Sequence, residues 1–96
     1  MLVPMAYDKM SIAAVRSLRD SAVLGTAISA GATVAIIVAE TQAARWRDDG
    51  TDPTTATGML ISTSTPPFVY DGSLENIRFI NAVAGGILHV SLYKLG

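Results

Sequence analysis

The chain has 96 residues, half of them hydrophobic, with 7 basic and 8 acidic side chains and no cysteine. That length supports one domain with a modest core. The near-neutral balance leaves no basic face for DNA or RNA, and the lack of thiols rules out disulfides and thiolate zinc sites.

The elements can be read in chain order. Met1–Met10, "MLVPMAYDKM", is expected to be an extended N-terminal arm, because Pro4 and a mixed pattern disfavour a regular element. Residues 11–96 are expected to form a single β-sandwich domain. In Ser11–Asp20, "SIAAVRSLRD", the spacing of Ile12, Val15 and Leu18 allows a short helix after Ser11. A strand is preferred here, since "AVLGTAI" reads as its continuation. The stretch Ser21–Ala39 carries no charge and has the length of a membrane span. Gly25, Thr26, Ser29, Gly31 and Thr33 interrupt it, however, and "SAGAT" reads as a turn, so two strands are expected instead.

"ATVAIIVAE" (Ala32–Glu40) is rich in β-branched residues and reads as a buried strand. In "TQAARWRD" the alternation turns Ala44 and Trp46 inward and Arg45 and Arg47 outward. Asp49-Gly50 and Asp52-Pro53 then mark a turn-rich loop. "MLISTST" and "FVYDG" are strands separated by Pro66-Pro67. "LENIRFINAV" alternates, with Ile77 and Phe79 on one face, and Gly85-Gly86 turns the chain into "ILHVSLY", where Leu88, Val90 and Leu92 face the core. Seven or eight short strands with turn signals about 8–12 residues apart predict an all-β fold, an antiparallel β-sandwich or jelly roll. Trp46, Val38, Ile36, Phe79, Ile77, Leu88 and Val90 are expected in its core.

The side chains that might carry chemistry are few. His89 is the only histidine, and on an outward strand face it suits a surface or an interface better than a metal site, which needs several converging ligands. Asp48, Asp49 and Asp52 cluster near Gly50 but lack the calcium-loop pattern, so they are read as caps of local backbone N–H groups. Arg45 and Arg47 flank Trp46 without a basic groove around them, which favours partners such as Asp48, Asp49, Glu75 or an acid on another chain. Glu40 is a further candidate partner. No Gly-x-Ser-x-Gly elbow or phosphate loop is present.

Three stretches, "GATVAIIVAE", "ARWRDDGTDPTTATGM" and "FVYDGSLENIRFINAVAGGILHVSLY", resemble a group of small tailed-bacteriophage proteins. Its members combine a strand ending in glutamate, an R-W/Y-R-D-D-G-T-x-P-T loop, a glycine-led strand, an "IRFI" strand and a closing L-x-V-x-Y strand. The resemblance spans Gly31 to Tyr93. It departs at His89, where a small polar residue is commoner, and does not extend over Met1–Arg19. It implies a β-sandwich virion component.

The expected function is therefore non-enzymatic and structural. The leading expectation is a capsid decoration or cement protein on the virion surface, made in the host cytoplasm. It would be homo-oligomeric and bound to the major capsid protein or to other virion proteins, without cofactor, nucleic acid or membrane. Arg45, Arg47, Asp48, Asp49, Tyr7 and His89 are the residues expected at its interface. The alternatives are a head–tail connector, collar or fibre-attachment protein and, from another class, a carbohydrate-binding adhesion module. An enzyme and a holin-like membrane protein have the least support.

Overall fold

In the computed structural model, which describes residues 1–96, the chain forms eight strands, one α-helix and one 3₁₀ turn. In order they are β1 (Leu2–Ser11), β2 (Arg16–Ser17), the turn Leu18–Asp20, α1 (Ala22–Ser29), β3 (Val34–Glu40), β4 (Ala44–Arg47), β5 (Met59–Ile61), β6 (Phe68–Tyr70), β7 (Arg78–Asn81) and β8 (Ile87–Leu95). Two four-stranded sheets result, ordered β1-β8-β3-β6 and β2-β7-β4-β5. Every pairing is antiparallel. The fold is mostly antiparallel β, as the strand and turn pattern predicts.

One core joins the two sheets. The first sheet contributes Met10, Ala35, Ile37, Ala39, Leu88, Val90 and Leu92, and the second contributes Ala44, Ile61 and Phe79. The period of two along β8 produces this directly: Leu88, Val90 and Leu92 are buried, while Ile87, His89, Ser91 and Tyr93 between them are half-exposed. Each fully buried large aliphatic or aromatic side chain contributes about 1.5–3 kcal/mol of burial.

The uncharged run departs from the two-strand expectation. Its first half is helix α1. The Ser21 hydroxyl accepts a hydrogen bond from the Leu24 N–H at 3.2 Å and so caps the helix. Leu24, Ala27 and Ile28, at helical spacing, are buried. The chain turns at "SAGAT", as expected, but the turn closes a helix and not a strand. Gly31 takes φ +108°, and the N–H groups of Gly31 and Ala32 return to the carbonyls of Ile28 and Ala27. That pair of bonds closes the last turn in a Schellman arrangement. No helix is long and apolar enough to cross a membrane.

The N-terminal segment also differs. Met1–Met10, expected as an extended arm, lies almost entirely within β1, paired with β8 from Leu2↔Leu95 to Ser11↔Ile87. Pro4 is tolerated because β1 is an edge strand and the register shifts between Pro4 and Ala6. Ser21 ties this edge to α1 by donating its hydroxyl proton to Asp8. That bond, together with the Lys9 N–H, holds the Asp8 carboxyl below its usual range. Ser11–Asp20, read as strand, holds the last residue of β1, Ser11, and the two residues of β2 before the 3₁₀ turn, where the Asp20 carboxylate accepts the Ser17 N–H at 2.8 Å.

Ile77, Phe79, Leu88 and Val90 are fully buried as expected. Val38 is not: it is 37% exposed, and Ile36 is half-exposed. β3 is apolar on both faces, so its composition does not specify its phase. The fold takes Ala35, Ile37 and Ala39 inward and turns Ile36 and Val38 out. Trp46 packs against this core, as its alternation predicts, but remains half-exposed.

Candidate interaction surface

The outward face of the first sheet is built by strand register. Tyr7, Ser91, Ile36 and Val69 lie in one row across β1, β8, β3 and β6. Lys9, His89 and Val38 form the next row. Apolar and polar side chains mix across the face, and its apolar members Tyr7, Val38 and Val69 are 56%, 37% and 59% exposed.

One polar network crosses it. The His89 Nε2 lies 2.7 Å from the Glu40 Oε1, and the His89 Nδ1 lies 2.6 Å from the Tyr7 hydroxyl. A carboxylate can only accept, so Nε2 carries the proton and donates to Glu40. In the neutral ring this leaves Nδ1 to accept from the Tyr7 O–H. The Tyr7 and His89 rings stack with centroids 6.0 Å apart and planes 16° from parallel. The hydrogen bond from His89, and then its charge, lower the Glu40 carboxyl from its ordinary value. Directly after Glu40 the chain makes a γ-turn, in which the Gln42 N–H returns to the Glu40 carbonyl and Thr41 takes φ +75°. A threonine in that region is strained by about 1–3 kcal/mol.

The other expected site residues sit elsewhere, at the end of β4 and in the loop that follows. Arg45 donates from Nε to the Thr55 carbonyl at 3.1 Å and from a terminal nitrogen to the Gly58 carbonyl at 3.0 Å. Arg47 makes a two-bond pair with Asp49, which raises the guanidinium and lowers the carboxyl from their ordinary values. Asp49 also accepts the Thr51 N–H, the local turn bond expected of it. Asp48 and Asp52 do something different: Asp48 accepts the Tyr70 hydroxyl at 2.7 Å, and Asp52 accepts from Arg78 at 2.7 Å. The three loop carboxylates are thus drawn to three separate partners.

Packing closes the loop further. Pro53 is fully buried. Gly58 has φ +138°, and a side chain there would meet the Trp46 carbonyl at 3.1 Å, the Arg45 Cβ at 3.2 Å and the Pro53 Cβ at 3.3 Å. Trp46 stacks on Phe68 (5.4 Å between centroids) and meets Tyr70 edge-on (5.7 Å). Burial, and then the bond to the Asp48 carboxylate, push the Tyr70 phenol up to about 12.

The six expected interface residues therefore fall into two groups. Tyr7 and His89 meet on the open face. Arg45, Arg47, Asp48 and Asp49 are bonded within the chain. Glu40 and Glu75, expected as partners of the arginines, bond instead to His89 and to Arg19, the latter at 2.6 Å. Glu40 as the third member of the Tyr7–His89 group, and Tyr70 as the partner of Asp48, were not foreseen. Both contacts come from pairings between distant segments, and no local spacing encodes them. Compared with known proteins, the chain matches no family model, no curated protein and no solved structure.

Proposed function

We propose that this chain is a structural protein of a tailed-bacteriophage virion, a capsid decoration protein that uses the outer face of the sheet β1-β8-β3-β6 to bind across major capsid subunits. The observation that carries the reading is that face. It leaves Tyr7, Val38 and Val69 open to solvent on β1, β3 and β6, and one edge of the sheet is the ten-residue strand β1. Apolar side chains gathered on one face lose water when a partner covers them, and an open edge can add a strand from a neighbour. The resemblance over Gly31–Tyr93 supplies the setting. In this reading the paired sheets are the jelly-roll-like sandwich of such components, and the protein acts as an oligomer. A protein that binds the assembled shell and not the free capsid subunit stabilises the shell by mass action.

The test is the number of copies on purified particles, read from stained gels against the major capsid protein. Decoration predicts copies in proportion to capsid subunits. A single ring's worth would favour the connector or collar reading, and particles free of the protein would refute a virion role.

A further inference from the structure

A second surface lies away from the sheet face. Trp46 and Met59 form the apolar part of an open groove of about 630 Å³, and Arg47, Asp48, Asp49 and Thr57 supply its polar part, with Gly58 between them. The volume falls within the roughly 300–1,000 Å³ of small-ligand sites. We propose that this groove binds a neutral saccharide, with Trp46 as the platform for one sugar ring.

Three observations carry the proposal. First, the platform is fixed before any ligand arrives. Phe68 stacks on the indole at 5.4 Å and 22°, Tyr70 braces its edge, and the half-exposed Trp46 lines the groove. A rigid aromatic plane suits the C–H face of a pyranose and costs little ordering entropy on binding. Second, hydrogen-bonding capacity remains unused around it. Only one oxygen of Asp48 is engaged, by Tyr70, and the Thr57 hydroxyl bonds to no protein group. The paired Arg47 and Asp49, 30% and 53% exposed, offer donors and acceptors side by side. Adjacent sugar hydroxyls need that alternation of donors and acceptors. Third, the charge selects the class. Two carboxylates against one guanidinium leave the groove one charge negative, which disfavours phosphate and nucleic acid. Arg47 spends one of those carboxylates and disfavours a bound amine.

This site does not depend on the assembly reading, because it uses neither the outer face of the first sheet nor β1. Trp46 is the only tryptophan, so its fluorescence reports on the groove directly. Purified full-length protein should be titrated with maltose, cellobiose, lactose and diacetylchitobiose, with saturation-transfer NMR as a second readout. At least one sugar should give a saturable change in emission with a Kd of about 1 mM, typical of a small open site. Thr57→Val and Asp48→Asn should each weaken it about tenfold, the loss of one good hydrogen bond, while far-ultraviolet circular dichroism stays unchanged. The proposal is overturned if no sugar saturates below about 50 mM by either readout. It is equally overturned if both variants bind as the parent does, or if lysine amide or inorganic phosphate binds and no sugar does.

Discussion

The loop from Arg45 to Met59 and the outer face of the first sheet are opposites in sequence and in structure. The loop carries five charged side chains and looks like a site. In the fold its arginines and aspartates are bonded within the chain, and Pro53 is buried beneath it. Strand β3 of the outer face reads as core, yet Val38 stands in solvent, as do Tyr7 and Val69 on the two edge strands. Charge in a small two-sheet fold can thus serve to close a long connection, while a strand apolar on both sides leaves one of them in solvent.

The largest test of that contrast compares two aromatic neighbours in register on β4 and β7, Trp46 and Phe79. Phe79 is fully buried, so Phe79→Ala should cost about 3–5 kcal/mol in denaturant unfolding. Half-exposed Trp46 should cost clearly less on truncation. Equal losses would mean that Trp46 is a core residue and that the loop shields it completely.

Next comes the loop itself. Gly58→Ala forces a side chain into a positive-φ position and against backbone, and should lose about 2–3 kcal/mol. A neutral result would show that the loop is free to rearrange and is not closed as described.

These tests fall where the sequence was most and least informative. The alternation through β4 and β8 was legible because one side of each is polar, so Arg45, Arg47 and His89 declared their faces. β3 was not, because a strand apolar on both sides has no phase of its own. Helix α1 was hidden for a related reason: Ala22, Val23 and Ala30 leave its exposed side apolar too, Gly25 interrupts the run, and only the Ser21 cap with buried Leu24, Ala27 and Ile28 marks it. The edge role of Met1–Met10 depends on β8, at the other end of the chain. The same separation hides Tyr7–His89–Glu40: Tyr7 and His89 could each be picked as surface residues, but their contact needed the register.

Tyr70 gives a smaller and pH-dependent effect. Its folded pKa of about 12 lies above the ordinary phenol value of 10.0. Its contribution should therefore be complete below pH 10 and be lost as pH rises through about 12. Tyr70→Phe should cost about 1–3 kcal/mol at neutral pH, through the lost bond to the Asp48 carboxylate, and should flatten stability in that alkaline window. On the acid side the sign reverses. The lowered carboxyls of Asp8, Glu40 and Asp49 stabilise the fold above their unfolded values near 4. That stability should fade as pH drops through their folded values. Glu40→Gln should reduce the acid sensitivity, whereas a parent protein with stability flat to pH 2 would mean these bonds do not persist in solution.

The smallest effect on folding is expected on the outer face, and it is the most direct test of the central claim that this face holds a partner. Val38→Thr and Val69→Thr should be combined, leaving the Tyr7–His89–Glu40 network intact. Melting of the isolated protein and its occupancy on purified virions should then be measured on the same preparation. Stability should change by no more than about 0.5 kcal/mol, as for exposed positions, while occupancy falls markedly. Full occupancy with unchanged stability would contradict that claim and leave the sheet face without a role.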